Sequence, residues 1–166
     1  KWKFKTGHYI KGPASIADDG TVHVGSYDDY LYAFYPNNGT LKWKCKIGKG
    51  AETNPSIGKD GIIYVGGNYL YAVYPNGTLQ WSFHLGTKRH IHHSSPAISD
   101  DGTIYVGTNI GEVGGGDIIA INPNGTEKWR KKIAYAWVDS SPSIAEDGTV
   151  YIGSAYEMGK GYLHAF

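Results

Sequence analysis

The residues best suited to chemistry in this chain are the imidazoles of the run Arg89-His90-Ile91-His92-His93-Ser94, together with carboxylates that hold an equivalent place elsewhere. The equivalence is measured from proline. Counting back three residues from Pro13, Pro55, Pro96 and Pro142 reaches Ile10, Glu52, His93 and Asp139, and counting back four reaches Tyr9, Ala51, His92 and Val138. If the prolines mark the same point of a repeated unit, Glu52, His93 and Asp139 converge on one axis. One imidazole and two carboxylates, with His92 or His90 adding a nitrogen, form a mixed donor set suited to zinc or another divalent ion. The same region, with Lys11, Glu52, His92, His93, Ser94 and Asp139, also suits a small polar or anionic ligand. A plainer reading competes with both. His-x-His-His has no signature metal spacing, and polar residues at such a rim commonly hold only water.

What must position these residues is a repeat. The segment after His93, "DDGTIYVG" from Asp100, recurs as "DDGTVHVG" from Asp18, "KDGIIYVG" from Lys59 and "EDGTVYIG" from Glu146. The prolines are spaced by 42, 41 and 46 residues. Two further landmarks keep the same order: "NGTLKW", "NGTLQW" and "NGTEKW", ending at Trp43, Trp81 and Trp129, and the tetrapeptides "LYAF", "LYAV", "IIAI" and "LHAF" at Leu31, Leu70, Ile118 and Leu163. Trp2 in "KWKF" is an earlier, truncated member. The count is about four units, cut here as 1–41, 42–80, 81–127 and 128–166, each too small to bury its own apolar face alone.

Each unit reads as four antiparallel strands. A short apolar run precedes an Asp-Gly turn, an apolar strand such as "TIYVG" follows, a loop leads to "DIIAI", and an Asn-Gly turn opens the last strand. In that last strand Lys42, Lys44 and Lys46 interleave with Trp43, Cys45 and Ile47, and Lys1, Lys3 and Lys5 with Trp2 and Phe4. The period of two sends lysines to solvent, as suits an outer edge. The three Asn-Gly-Thr triplets also match an N-glycosylation pattern, but turn geometry accounts for them. With 24 glycines and few helix-favouring runs, the chain is expected to be all-β.

Four-stranded repeats of about 40 residues with a positional tryptophan are the signature of a β-propeller. The order Ala33…Gly39…Trp43, Ala72…Gly77…Trp81 and Ala120…Gly125…Trp129 resembles the tryptophan-docking motif of the PQQ-like (quinoprotein) propeller repeats. The resemblance covers essentially the whole chain, although the second and third copies are one residue shorter between alanine and tryptophan. It implies about four four-stranded blades, with Trp2, Trp43, Trp81 and Trp129 packing between blades. The family typically has seven or eight blades, so this chain is expected to be half of an eight-bladed ring, a four-bladed disc, or a fragment from which further blades have been cut away. "KWKF" would complete the last blade as its outer strand, and closure between two copies is favoured over closure within one.

The resemblance also implies two kinds of relative. Quinoprotein dehydrogenases hold a redox quinone and a calcium ion, with adjacent cysteines against the cofactor, whereas other members are scaffolds of outer-membrane assembly machinery or extracytoplasmic sensors. Cys45 is the single cysteine, and no catalytic aspartate, Ser-His-Asp set or paired carboxylates can be assigned by spacing. Bound quinone and dehydrogenase activity are therefore not expected, while a divalent metal remains open. A formal charge of +1 gives no reason to expect nucleic acid, and no stretch is long and apolar enough to enter a membrane. The expected function is a non-catalytic binding or scaffold module for a protein, peptide or small ligand, outside the cytoplasm. The alternatives are a metal-dependent or quinone-linked enzyme domain and a structural segment of a larger surface protein.

Overall fold

The computed structural model describes residues 1–48, 51, 53–110, 115–156 and 159–166. These residues form four four-stranded antiparallel sheets and no helix. Blade 1 contains β1 (Ser15–Ile16), β2 (Val22–Gly25), β3 (Tyr30–Phe34) and β4 (Leu41–Lys46). Blade 2 contains β5 (Ser56–Ile57), β6 (Ile63–Gly66), β7 (Tyr69–Val73) and β8 (Leu79–His84). Blade 3 contains β9 (Ala97–Ile98), β10 (Ile104–Asn109), β11 (Gly115–Ile121) and β12 (Glu127–Ala134). In each, the strands lie side by side in chain order. Blade 4 differs. Its β14 (Ser143–Ile144), β15 (Val150–Tyr156) and β16 (Gly161–Ala165) follow the pattern, but its fourth member is β13 (Ala136–Trp137), which pairs with the far end of β15 on the same edge as β14. Blade 4 is thus three strands wide. The sheets are offset by one strand from repeats cut at the outer strand, because the strand carrying each tryptophan closes the sheet behind it.

Short turns keep one geometry in every repeat. Asp19, Asp60, Asp101 and Asp147 each accept, through Oδ1, the backbone N–H two residues on, at 2.8–3.0 Å. Asn38, Asn76 and Asn124 do the same for the N–H of Thr40, Thr78 and Thr126 at 3.0–3.1 Å. Such Asx turns are why aspartate and asparagine precede glycine at these sites. Opposite each outer-strand tryptophan the third strand shifts register, after Ala33, Ala72 and Ala120.

The core is a series of inter-blade layers. Leu31, Ile47, Ile63, Val65, Tyr71 and Val73 fill the layer between blades 1 and 2. Leu70, Ala72, Leu85, Ile104, Ile119 and Ile121 fill the next, and Ile118, Ala120, Ile133, Val138, Val150 and Ile152 the third. At the rim the indole Nε1 of Trp2, Trp43 and Trp81 donates to the carbonyl of Pro36, Pro75 and Pro123 in the following blade, each at 2.9 Å. These rings lie over Gly39, Gly77 and Gly125. A Cβ on Gly77 would stand 2.6 Å from the Trp43 ring, so the close approach requires glycine there, as does its φ of +88°.

Lys1–Lys5 carries no strand ladder. Instead Trp2 and Phe4 pack on Phe34, at ring separations of 5.8 and 4.7 Å. The segment lies where an outer strand preceding blade 1 belongs, and among the described residues β16 pairs only with β15.

Candidate functional site

The connections from each outer strand to the next innermost strand carry the predicted site residues. Two residues before three of the landmark prolines stands a hydroxyl, and each has a structural task. Thr53, Ser94 and Ser140 accept the backbone N–H of Gly66, Gly107 and Gly153 at 2.8, 2.9 and 2.7 Å, tying each connection to the second strand of its own blade. Ser94 is fully buried in doing so. Blade 1 has Lys11 at this place, and its ammonium instead lies 4.7 Å above the Tyr27 ring. Between blades, Ser56 Oγ donates to the Pro96 carbonyl at 2.5 Å and Ser15 Oγ to that of Pro55, while the Asn54 and Ser95 amides donate to Ser95 and Ser141 hydroxyls at 3.1 and 2.9 Å. The innermost strands are therefore zipped together by polar contacts of the kind that would otherwise be free to bind a ligand.

The histidine run is partly ordered by the same bracing. His90 forms a two-residue antiparallel bridge with Asn109, with backbone bonds of 3.1 and 3.0 Å. Asn109 then reaches the next blade: its Nδ2 donates to Asp139, and its Oδ1 accepts the Val138 N–H at 2.8 Å. His92 lies edge-on to His90 at 5.7 Å and 4.1 Å from the ring of the exposed His93. The three imidazoles thus sit against one another, and Asp139 is turned to Asn109. Glu52 lies outside the described residues. Among the described residues no three His, Cys, Asp or Glu side chains gather to hold a metal ion.

One charged cluster escaped the sequence reading. Asp117, buried in β11, accepts Arg89 Nε at 2.7 Å and Arg130 Nη1 at 2.8 Å. Arg130 also donates to the Leu85 carbonyl at 2.8 Å and pairs with Glu127 at 2.8 Å. A buried carboxylate is tolerated only with such partners. The network pins the Leu85–Arg89 connection to blade 3. Its signal in the sequence was faint: an aspartate at the head of an apolar strand, and an arginine where blades 1 and 2 have Lys44 and Ser82.

On the opposite face, beside the Asp-Gly turns, shallow grooves of about 490, 470 and 420 Å³ recur between consecutive blades. Lys42 bridges to Asp19 at 3.0 Å and Lys128 to Asp101 at 3.1 Å. Hydrogen bonds from Thr21 to Asp19, and from Ser99 and Thr103 to Asp101, with the lysines adding to them, hold both carboxyls well below the usual range. The groove between blades 1 and 2 is distinguished by His23, which stands where blades 2, 3 and 4 have Tyr64, Tyr105 and Tyr151. Its ring lies 5.4 Å from Trp43, its Nδ1 has no hydrogen-bond partner among the described residues, and burial lowers its pKa to about 4.

Repeated blades, carbonyl-anchored indoles and Asx turns are the features by which this architecture is recognised, and a family model described as "Outer membrane protein assembly factor BamB" matches residues 1–161. The chain belongs to this family of PQQ-type repeat propellers. Among solved structures, BamB from Moraxella catarrhalis is 19% identical with a TM-score of 0.77, over 98% of this chain and 48% of that one. Quinohemoprotein alcohol dehydrogenase from Comamonas testosteroni is 14% identical with a TM-score of 0.75, over 89% of this chain and 29% of that one. The computationally designed Ika4 protein is 13% identical with a TM-score of 0.68, over 96% and 92%. At these identities the likeness establishes the fold. The chain spans about half the length of that BamB chain and under a third of that dehydrogenase. No curated protein matches it. The PQQ-type relatives thus include both an assembly factor and dehydrogenases.

Proposed function

We propose that this propeller is a non-catalytic scaffold that binds protein, a second copy of itself among its partners, outside the cytoplasm. The observation that carries the reading is Tyr135. It sits in the connection between β12 and β13 at a φ of +57° and is 78% exposed. A bulky residue in that left-handed conformation is costly, and the cost here serves to hold an aromatic ring out into water. Tyr9, 70% exposed, occupies the corresponding connection before blade 1. Exposed tyrosines on the connections between blades are the residue type that anchors protein interfaces. The inter-blade tryptophans serve as the docking residues that keep this platform rigid.

The residues present do not fit a quinone site. Hydroxyls and amides near the axis are committed to Gly66, Gly107, Gly153 and neighbouring blades, and the one thiol, Cys45, is buried in the outer strand β4 with its pKa pushed up by burial. A photo-crosslinking residue placed at position 135 tests the scaffold reading in the cell that makes the chain. One discrete protein adduct is expected there, and none from position 59 on the opposite face. Adducts from position 59 alone would refute this placement of the binding face.

A further inference from the structure

Blades 1, 2 and 3 build the surroundings of their Asp-Gly turns alike except at one point. Lys42, Gln80 and Lys128 hold one position, immediately before Trp43, Trp81 and Trp129, where the third and outer strands shift register. In blade 1 the Lys42 ammonium donates to Asp19 Oδ2 at 3.0 Å and to Thr21 Oγ1 at 2.8 Å. In blade 3 the Lys128 ammonium donates to Asp101 Oδ2 at 3.1 Å and to Thr103 Oγ1 at 2.9 Å. Both blades thus hold one primary ammonium beside the Asp-Gly turn, and the chain itself supplies it. Blade 2 keeps the carboxylate, Asp60, together with its bond from the Ile62 N–H at 3.0 Å. It has glutamine in place of the lysine and isoleucine in place of the threonine.

Those two replacements leave acceptors without donors. Among the described residues no cation pairs with Asp60, which is exposed, and Lys59 of the same turn is turned to Asp100 at 2.8 Å. Gln80 Oε1 is buried with no hydrogen-bond partner among the described residues, and a buried acceptor left unmade costs about 1–3 kcal/mol. The glutamine side chain is also one bond shorter than lysine, so it ends before the place that the ammonium takes in blades 1 and 3. Tyr64 stands beside the carboxylate: burial first, and the Asp60 charge after it, push its phenol up to about 12, so it stays neutral. The groove of about 470 Å³ that Asp60 and Tyr64 line has an aliphatic wall made by Ile57, Ile98 and Pro123. Its volume is that of a small-molecule site.

We propose that blade 2 binds the ammonium of a small primary alkyl amine, which takes beside Asp60 the place that Lys42 and Lys128 fill beside Asp19 and Asp101. The Asp60 carboxylate supplies the charge and accepts one N–H, and Gln80 Oε1 turns to accept another. Hydrogen bonds with an ionised donor and acceptor are about twice as strong as neutral ones, so the amine gains more from this pair than an alcohol of the same shape. The alkyl chain lies along Ile57, Ile98 and Pro123. Asp19 and Asp101 are closed to the same ligand, because each already holds a lysine. The inference rests on the scaffold reading only in choosing a free amine over the lysine of a bound protein, since that reading puts the protein-binding face at Tyr135. The two fail separately: amine uptake is read with no protein partner present, and crosslinking from position 135 needs no amine.

Amide nitrogen–proton correlation spectra of the labelled chain, titrated at neutral pH with n-butylammonium chloride, read the site residue by residue. Saturable shifts are expected at the amides of Asp60, Ile62, Tyr64 and Gln80, and much smaller ones at Asp19, Thr21, Asp101 and Thr103. Asp60→Asn keeps the acceptor for the Ile62 N–H and removes the charge, while Gln80→Lys/Ile62→Thr gives blade 2 an ammonium of its own. Both variants are expected to lose the shifts and to keep the circular dichroism spectrum of the parent chain. Potassium chloride and 1-butanol at the same concentrations are expected to leave these amides in place. Equal shifts at all three turns, or the same shifts with potassium chloride, would reduce the effect to ionic strength and overturn the proposal. Shifts that survive in either variant or follow 1-butanol, or no saturable shift at all, would overturn it as well.

Discussion

Acidification from pH 7 to pH 4 should destabilise this protein through one imidazole, and replacing that imidazole should abolish the effect. His23 is 2% exposed, its ring packs on Trp43, and burial holds its folded pKa at about 4 against 6.5 in the unfolded chain. Between those values the unfolded state binds a proton that the folded state refuses, so stability falls as pH drops through the window and levels off below pH 4. The gap corresponds to a ceiling of about 3 kcal/mol. Water in the adjoining groove screens the charged form, which brings the expected loss to ~1–2 kcal/mol. The control is His23→Tyr, which installs the residue of the other three blades. Tyr64, in the same place in blade 2, has a pKa pushed up by burial to about 12 and stays neutral throughout. Urea unfolding at pH 7, 6, 5 and 4 for both proteins isolates the term, because other histidines and carboxylates contribute equally to each. Parallel stability curves between pH 6.5 and pH 4 would refute the reasoning.

Other perturbations probe separate parts of the account. Gly77→Ala, which drives a Cβ into the Trp43 ring at a φ of +88°, should cost ~2–4 kcal/mol, whereas Gly148→Ala at +85°, with nothing within 4 Å, should cost only the ~1–2 kcal/mol of a left-handed backbone. Their difference in urea midpoint reads the indole contact directly. Asp117→Ala leaves Arg89 and Arg130 without their shared carboxylate and should destabilise by about 3 kcal/mol, followed by the same unfolding assay. Ser94→Ala strands the buried Gly107 N–H and should cost ~1–3 kcal/mol; a neutral result would return Ser94 to the list of ligand contacts.

How much was legible depended on whether a feature lives in one repeat or between two. Asp-Gly and Asn-Gly turns demand particular residues at fixed offsets, so Asp19, Asp60, Asp101 and Asp147 mark their strands in the sequence itself. The alternation of Trp43 and Cys45 with lysines likewise placed the outer strand. Reading the connections at the third residue before proline found Glu52, His93 and Asp139, one step from Thr53, Ser94 and Ser140, whose hydroxyls brace the blades. Nothing about a lone hydroxyl advertises a bond to a glycine N–H 13 residues on. The Asp117 network joins residues 28 and 13 positions apart, beyond any local pattern. Leu163 has the same sequence context as Leu31 and Leu70, yet it is exposed because no blade among the described residues packs on it. "KWKF" read as an outer strand, yet without a sheet to join it lies against blade 1 with no ladder.

The most direct test of the central claim, a scaffold rather than a cofactor enzyme, is native mass spectrometry of the purified chain after incubation with the quinone PQQ, calcium and zinc. The account predicts the mass of the protein alone, with no quinone or metal added. One quinone or one metal ion per chain would contradict it.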